Sequence, residues 1–228
     1  MIRSHSSRPS FPRRAFVHAG LLGAAALVFS LGSASQAAGV DDSVREVQRE
    51  WEVIRYEAPS AERQKRFEAL AAKAHQVSES FPGRSEPLIW EGIVVSSVAG
   101  EKGGLGALGL VKQAKALYET AIQVDGNALD GSAYNSLGVL YYKVPGWPLG
   151  FGDKNKAREL LQKALSINPR GIDPNFFYAE YLVETKQPEE AIPYLERALQ
   201  APARAGRQLA DQGRREEAKA LLARVRPR

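Results

Sequence analysis

Residues Ser132–Pro169, SAYNSLGVLYYKVPGWPLGFGDKNKARELLQKALSINP, decide the fold. Tyr134, Leu137, Gly138 and Tyr141 fall at helical spacing on one face, and Gly138 lets a second helix approach closely. After an irregular loop, Ala157, Leu161 and Ala164 recur at steps of four and three, and Pro169 stops that helix. Asp153 is placed to cap its start. The stretch reads as two helices folded back on each other.

Aromatic-x2-Leu-Gly-x2-Tyr, then Ala-x3-Leu-x2-Ala, then Pro, resembles the tetratricopeptide repeat (TPR) pattern. Related half-patterns lie on both sides. Upstream, Leu88 and Gly92 precede Ala114, Tyr118 and Ala121, with Glu91 where the repeat has leucine. Downstream, Tyr178, Ala179 and Leu182 precede Ala191, Leu195 and Ala198. Ala218, Leu222 and Val225 form a last half-repeat. From Ala114 through Ala157 and Ala191 to Ala218 the steps are 43, 34 and 27 residues, and only the middle one is the standard period. The resemblance implies an all-α, TPR-type helical-hairpin solenoid with a two-helix N-terminal cap and a C-terminal capping helix. Its expected divisions are 38–82 for the first cap, 83–203 for three repeats and 204–228 for a basic capping helix. In the first cap, Val44, Val47, Trp51 and Ile54 form an amphipathic stripe over 41–58. Pro59 ends that helix, and Ser60 is placed to cap the next.

Residues 1–37 carry Arg3, Arg8, Arg13 and Arg14, no acidic residue, and an apolar run from Ala15 to Leu31. Ser35-Gln36-Ala37 supplies a small-x-small cleavage pattern, so an exported protein beginning at Ala38 is expected, periplasmic if bacterial. Arg13-Arg14-Ala15-Phe16-Val17 resembles the twin-arginine signature, with His18 in place of its usual lysine. Without this segment the chain has 27 Lys+Arg against 26 Asp+Glu, so the +5 charge of the whole gives no case for a nucleic-acid partner. No cysteine is present, which excludes disulfides, thiol nucleophiles and cysteine-bound zinc.

Motifs that suggest chemistry have simpler readings. Gly104–Gly109 spells G-x-G-x-x-G, but the residues before it read as helix, whereas a dinucleotide site needs a preceding strand. His75 is the single histidine after residue 37, too few for a zinc site, and no nucleophile-elbow serine accompanies it. Glu189-Glu190 and Glu216-Glu217 are expected in first helical turns, where the helix dipole favours them. No catalytic, metal or cofactor residue is assigned. A hydrolase is the remaining catalytic alternative, without a nucleophile–base pair to support it.

Extra length sits between the two helices of a repeat, at Gly100–Gly106 and Val144–Gly152. These loops either form a joint Gly/Trp/Phe-rich surface, with Trp147 and Phe151, or pack on each other. In TPR arrays the fifth, ninth and twelfth positions line the concave face. Here they are Ile89, Ile93 and Ser96; Asn135, Val139 and Tyr142; Phe176, Glu180 and Val183. None is basic, so the carboxylate clamp of peptide-binding TPR domains is not expected. A groove this apolar is filled by a flanking helix such as 44–54, or takes an apolar ligand or an amphipathic partner helix. The segment from Arg204 has eight basic and three acidic residues, suited to a solvated cap or to an acidic partner or lipid surface.

More narrowly, Gly103–Val111 (GGLGALGLV) and Pro145–Asp153 (PGWPLGFGD) resemble periplasmic TPR proteins that accompany TRAP transporters, the T component. That resemblance implies helices surrounding a hydrophobic channel and contact with the transporter's binding protein. The expected function is a non-enzymatic scaffold that binds a protein partner through groove and loops. The alternative is a carrier of an apolar ligand.

Overall fold

The computed structural model describes residues 25–226, with side chains from Gly39 onward. It divides into two units, Met1–Ala38 and Gly39–Arg228. Of the first, only the helical backbone from Ala25 is described, so most of the expected export signal lies outside the described residues.

Among the described residues there are nine α-helices and no strand. They are α1 (Ala25–Tyr56), α2 (Ser60–Ser80), α3 (Ser85–Lys102), α4 (Leu108–Asp125), α5 (Ala128–Lys143), α6 (Lys154–Ile167), α7 (Ile172–Glu184), α8 (Pro188–Gln200) and α9 (Gln208–Val225). Each helix from α2 to α8 packs on the next, and α3, α5, α7 and α9 also touch in succession. No such contact joins α4, α6 and α8 to one another. The odd-numbered helices therefore form an inner layer and the even-numbered ones an outer layer. The fold is an all-α helical-hairpin solenoid of the TPR type.

Small residues set the spacing within hairpins. Ala114, Ala157, Ala164, Ala179, Ala191, Ala198 and Ala218 are all buried. A Cβ added at Gly138 would sit 2.8 Å from Leu161 Cγ, and one at Gly92 would sit 2.5 Å from Tyr118 Cε1. Both glycines are where a large side chain of the facing helix enters the gap. Asp153 caps α6 as its sequence position predicts, accepting from the backbone N–H groups of Asn155 and Lys156.

Several local expectations change. Ser60 is the first helical residue of α2, and its helix starts without a side-chain cap. Helix α9 begins at Gln208, so Glu216 and Glu217 lie in mid-helix rather than in a first turn. Glu217 pairs there with Arg55 and Arg214. Glu91 has a buried side chain, and His75 Nδ1 of α2 lies 2.9 Å from its Oε1. The glutamate that departs from the repeat signature and the lone histidine are thus two halves of one inter-helix contact.

Candidate functional site

The groove is crossed by the chain's own first helix. Val40, Val44, Val47, Trp51 and Ile54 bury against α2 and α3, in a cluster with Phe67, Leu70, Trp90 and Val94. Trp51 meets the Trp90 ring edge-on at 6.0 Å, and its Nε1–H donates to Ser97 Oγ at 2.8 Å. The end of α1 then reaches α9. Glu52 is buried, pairs with Arg207 and accepts from the Ala210 backbone N–H at 3.3 Å, while Arg55 donates to Glu217 at 2.8 Å. Tyr56 lies against Gly213, where an added Cβ would come within 2.2 Å of its ring. The solenoid is closed between its first and last helices.

This seam is ionic. Asp173 of α7 receives Arg204 at 2.7 Å and Arg214 at 2.8 Å, and Arg204 also holds the buried Asp211 at 2.7 Å. Burial pushes the Asp173 carboxyl upward, but the nearby Arg214 and Arg204 guanidinium groups outweigh it and hold it well below the usual carboxylate range. Arg214 additionally lies over the rings of Phe176 and Phe177, at 4.6 and 4.4 Å. The basic residues at 204, 207 and 214 are therefore turned inward and paired, in contrast to the solvated basic cap expected from composition.

With α1 across it, the groove holds two cavities, of about 470 and 680 Å³, both lined by Trp51, Ile93, Ser136, Phe177 and Arg214. The smaller one lies at the start of the inner helices. Its wall includes Leu129 and Asp130, both in left-handed backbone conformation immediately before Gly131. Asn135 and Tyr56 also line it, and Asn135 Oδ1 and Tyr56 Oη are buried atoms with no hydrogen-bond partner. Burial raises the Tyr56 hydroxyl above its ordinary value, which keeps it a neutral donor. The larger cavity lies toward the loop end, lined by Gly100, Glu101 and Lys143, with Ser96, Val139, Phe176 and Glu180 in its wall.

The sequence-predicted residues divide accordingly. Ile93 reaches both cavities, Asn135 the smaller one, and Ser96, Val139, Phe176 and Glu180 the larger. Ile89 does not line the groove. It is fully buried with Ala121, Ala128 and Ala133, between α3 and its neighbours. Tyr142 is buried, with its hydroxyl donating to Glu180 at 2.6 Å, and Val183 packs against the same core. Burial, reinforced by the Glu180 charge, raises the Tyr142 hydroxyl well above its ordinary value. Phe151 packs edge-on against Tyr141 at 5.4 Å, whereas Trp147 is 91% exposed. Leu105 in the other loop is 78% exposed, so the two loop tips do not pack on each other. Sequence reasoning missed the seam, whose local signals are a tyrosine ending α1 and a glycine in mid-α9.

Among the described residues, His75 faces Glu91 and Glu79 rather than a serine. No group of three or more His, Cys, Asp or Glu is placed to hold a metal ion among the described residues. The G-x-G-x-x-G run follows helix α3 and forms a 3-10 turn, Leu105–Ala107, and the start of α4.

Residues 149–205 match the tetratricopeptide repeat family model. That match contains α6, α7 and α8 and leaves out α5, which carries Tyr134, Leu137, Gly138 and Tyr141. No curated protein matches the chain. Among solved structures, the chain is similar to yeast Tom70, at 20% identity and a TM-score of 0.43, covering 70% of this chain and 31% of that one. It is also similar to a thermophilic TPR protein of Thermus thermophilus, at 16% identity and a TM-score of 0.38, covering 68% of this chain and 92% of that one. The chain spans about a third of the length of Tom70.

Proposed function

We propose that this chain is an exported, non-enzymatic scaffold that binds a segment of a protein partner in the open half of its groove. The observation that carries this reading is the larger cavity. It remains open beside α1 and gathers Ile93, Val139, Phe176 and Glu180 from three successive inner helices. Apolar side chains of a partner helix or strand suit those walls, where Glu180 is already engaged by Lys143 at 3.2 Å and by the Tyr142 hydroxyl at 2.6 Å. Affinity capture with the full chain and with Val139→Asp tests it. Partners are expected to be lost from the variant while its far-UV spectrum and thermal midpoint stay near wild type. A folded variant that keeps every partner overturns the groove reading.

Export is supported by the basic start, the apolar run and the small-x-small site before Ala38. N-terminal sequencing of protein recovered from a bacterial periplasm is expected to begin at Ala38. Recovery from the cytoplasm with residues 1–37 intact removes export from the proposal.

A second reading, a small-ligand carrier working with a TRAP-type transporter, is favoured by the smaller cavity. Its wall combines Trp51, Ile93 and Phe177 with Asn135 and Tyr56, whose Oδ1 and Oη are buried without partners, and a ligand with an apolar body and one hydrogen-bonding end suits such a lining. Native mass spectrometry of the purified chain is expected to show a co-purifying mass that Asn135→Leu lacks. An unliganded mass for both favours the scaffold alone.

A further inference from the structure

The end of the molecule where inner helices hand over to outer ones carries three large apolar side chains in solvent. Leu105 is 78% exposed, Trp147 91% and Leu149 62%. The Trp147 loop is closed on itself by backbone hydrogen bonds. Gly152 N–H donates to the Pro145 carbonyl at 2.9 Å, and the N–H groups of Leu149 and Gly150 both donate to the Gly146 carbonyl at 3.1 Å. A Cβ at Gly152 would lie 1.9 Å from the Val144 carbonyl oxygen, so the loop closes more tightly than any side chain there permits. Phe151 turns inward on Tyr141, and Lys115 Nζ stands 5.8 Å from the Phe151 ring. Ala107 of the neighbouring loop packs on the same cluster as Val144 and Phe151, which puts both tips at one edge. What remains outward is a preformed Trp-Pro-Leu tip beside Leu105.

The surroundings are basic. From Lys102 to Lys115 there is no acidic residue, and from Lys143 to Lys156 the only one is Asp153. Asp153 is occupied in capping α6. Lys115, Lys143 and Lys156 have glutamate partners, whereas Lys102, Lys112 and Lys154 make no ion pair among the described residues. Protruding indole and leucine side chains amid unpaired lysines complement a fluid surface with an apolar interior and anionic head groups. No described helix is long and apolar enough to cross a membrane.

We propose that this edge docks on an anionic lipid surface, with Trp147 and Leu149 entering the interfacial layer, Leu105 beside them, and Lys102, Lys112 and Lys154 at the head groups. This goes beyond the groove reading and does not depend on it. The other two tryptophans whose surroundings are described, Trp51 and Trp90, are buried, so a change in tryptophan emission on binding reports Trp147. The full chain is titrated with vesicles of phosphatidylglycerol mixed into phosphatidylcholine, with phosphatidylcholine alone, and with brominated-lipid versions of each. Emission is expected to shift to the blue and to be quenched by the brominated anionic vesicles. Leu149→Asp and Lys154→Glu, which both keep Trp147, are expected to lower partitioning about tenfold each, as loss of one apolar anchor or reversal of one head-group charge requires. Vesicle binding that leaves Trp147 emission unshifted, equal binding to both lipid compositions, or burial of Trp147 only by a captured protein overturns the proposal.

Discussion

The hairpin stack and the seam that closes it are built on opposite principles. In the stack, α5 to α8 meet through alanines, Gly138 and large apolar or aromatic side chains, with Leu161, Leu182 and Leu195 fully buried. At the seam, α1, α7, α9 and the segment before α9 meet mainly through charge, with Glu52, Asp173, Asp211 and Glu217 answered by Arg204, Arg207, Arg214 and Arg55. Packing is hard to undo locally, because every side chain is shared with its neighbours. A partly buried ionic seam is conditional. Partners satisfy one another when all are present, and each is destabilising when one is missing. The array supplies rigidity and α1 lies across the groove on an apolar cluster, while the closure of the first helix on the last rests with a few ion pairs.

The largest expected effect comes from the stack. Leu161→Ala removes a fully buried side chain opposite Gly138 and is expected to cost about 4 kcal/mol of global stability. In denaturant unfolding it shifts the midpoint, and hydrogen exchange accelerates across α5 to α8 together. Arg214→Met leaves Asp173 and Glu217 without their shared partner and is expected to cost about 3 kcal/mol. Its exchange signature differs: protection is lost in α9 and over residues 50–56, and retained in α5 to α8. If both variants open the same amides, the stack and the seam are one cooperative unit and the contrast fails.

The stack was legible because its information is local. Ala157, Leu161, Ala164 and Pro169 lie within one helix and its stop, and a period of 3.6 brings the first three to one face without knowledge of the rest. The cap at Asp153 and the two long loops were legible for the same reason. The seam was not, because its partners are far apart in the chain: Arg207 is 155 positions from Glu52, and Glu217 is 162 from Arg55. A run of arginines looks alike whether it faces water or a buried carboxylate, so composition near Arg204 pointed outward. Ile89 shows the limit of repeat counting. Its position near the start of α3 is covered by Ala121, Ala128 and Ala133, and no count of positions within a repeat reveals that cover. Asn135 and Val139 were placed on the groove by the same counting, and there the structure puts them in cavity walls.

Acid sharpens the contrast, since protonation acts on the seam and leaves the apolar stack untouched. The folded Asp173 carboxyl is held below its unfolded value of about 3.9, so its contribution is complete above that pH and is lost as pH falls through and below it. Stability is expected to fall by about 2 kcal/mol between roughly pH 5 and pH 2 on this account. Asp173→Asn is expected to be less stable at neutral pH and to show a shallower acid limb. An acid limb unchanged by that substitution assigns the pH dependence to other carboxylates.

The smallest effect tests whether the wall between the two regions is strained. Leu129, Asp130 and Gly131 all hold positive φ, of 49°, 57° and 77°, at the start of α5. The first two are L-residues in a conformation that costs each about 1 kcal/mol. Gly131 meets Ile167 of the stack, with an added Cβ 2.9 Å from its Cδ1, so the turn cannot move outward by gaining a side chain. Asp130 and Leu129 both line the smaller cavity. Asp130→Gly removes the steric cost in the folded state but adds freedom to the unfolded one, and the first term is the larger if the turn is held in place by its surroundings. The expected result is a thermal midpoint raised by a few degrees, or about 0.5 kcal/mol. A lowered midpoint means that the Asp130 side chain holds the turn, and the left-handed geometry is then a property of that residue rather than a strain imposed by the stack on the cavity wall.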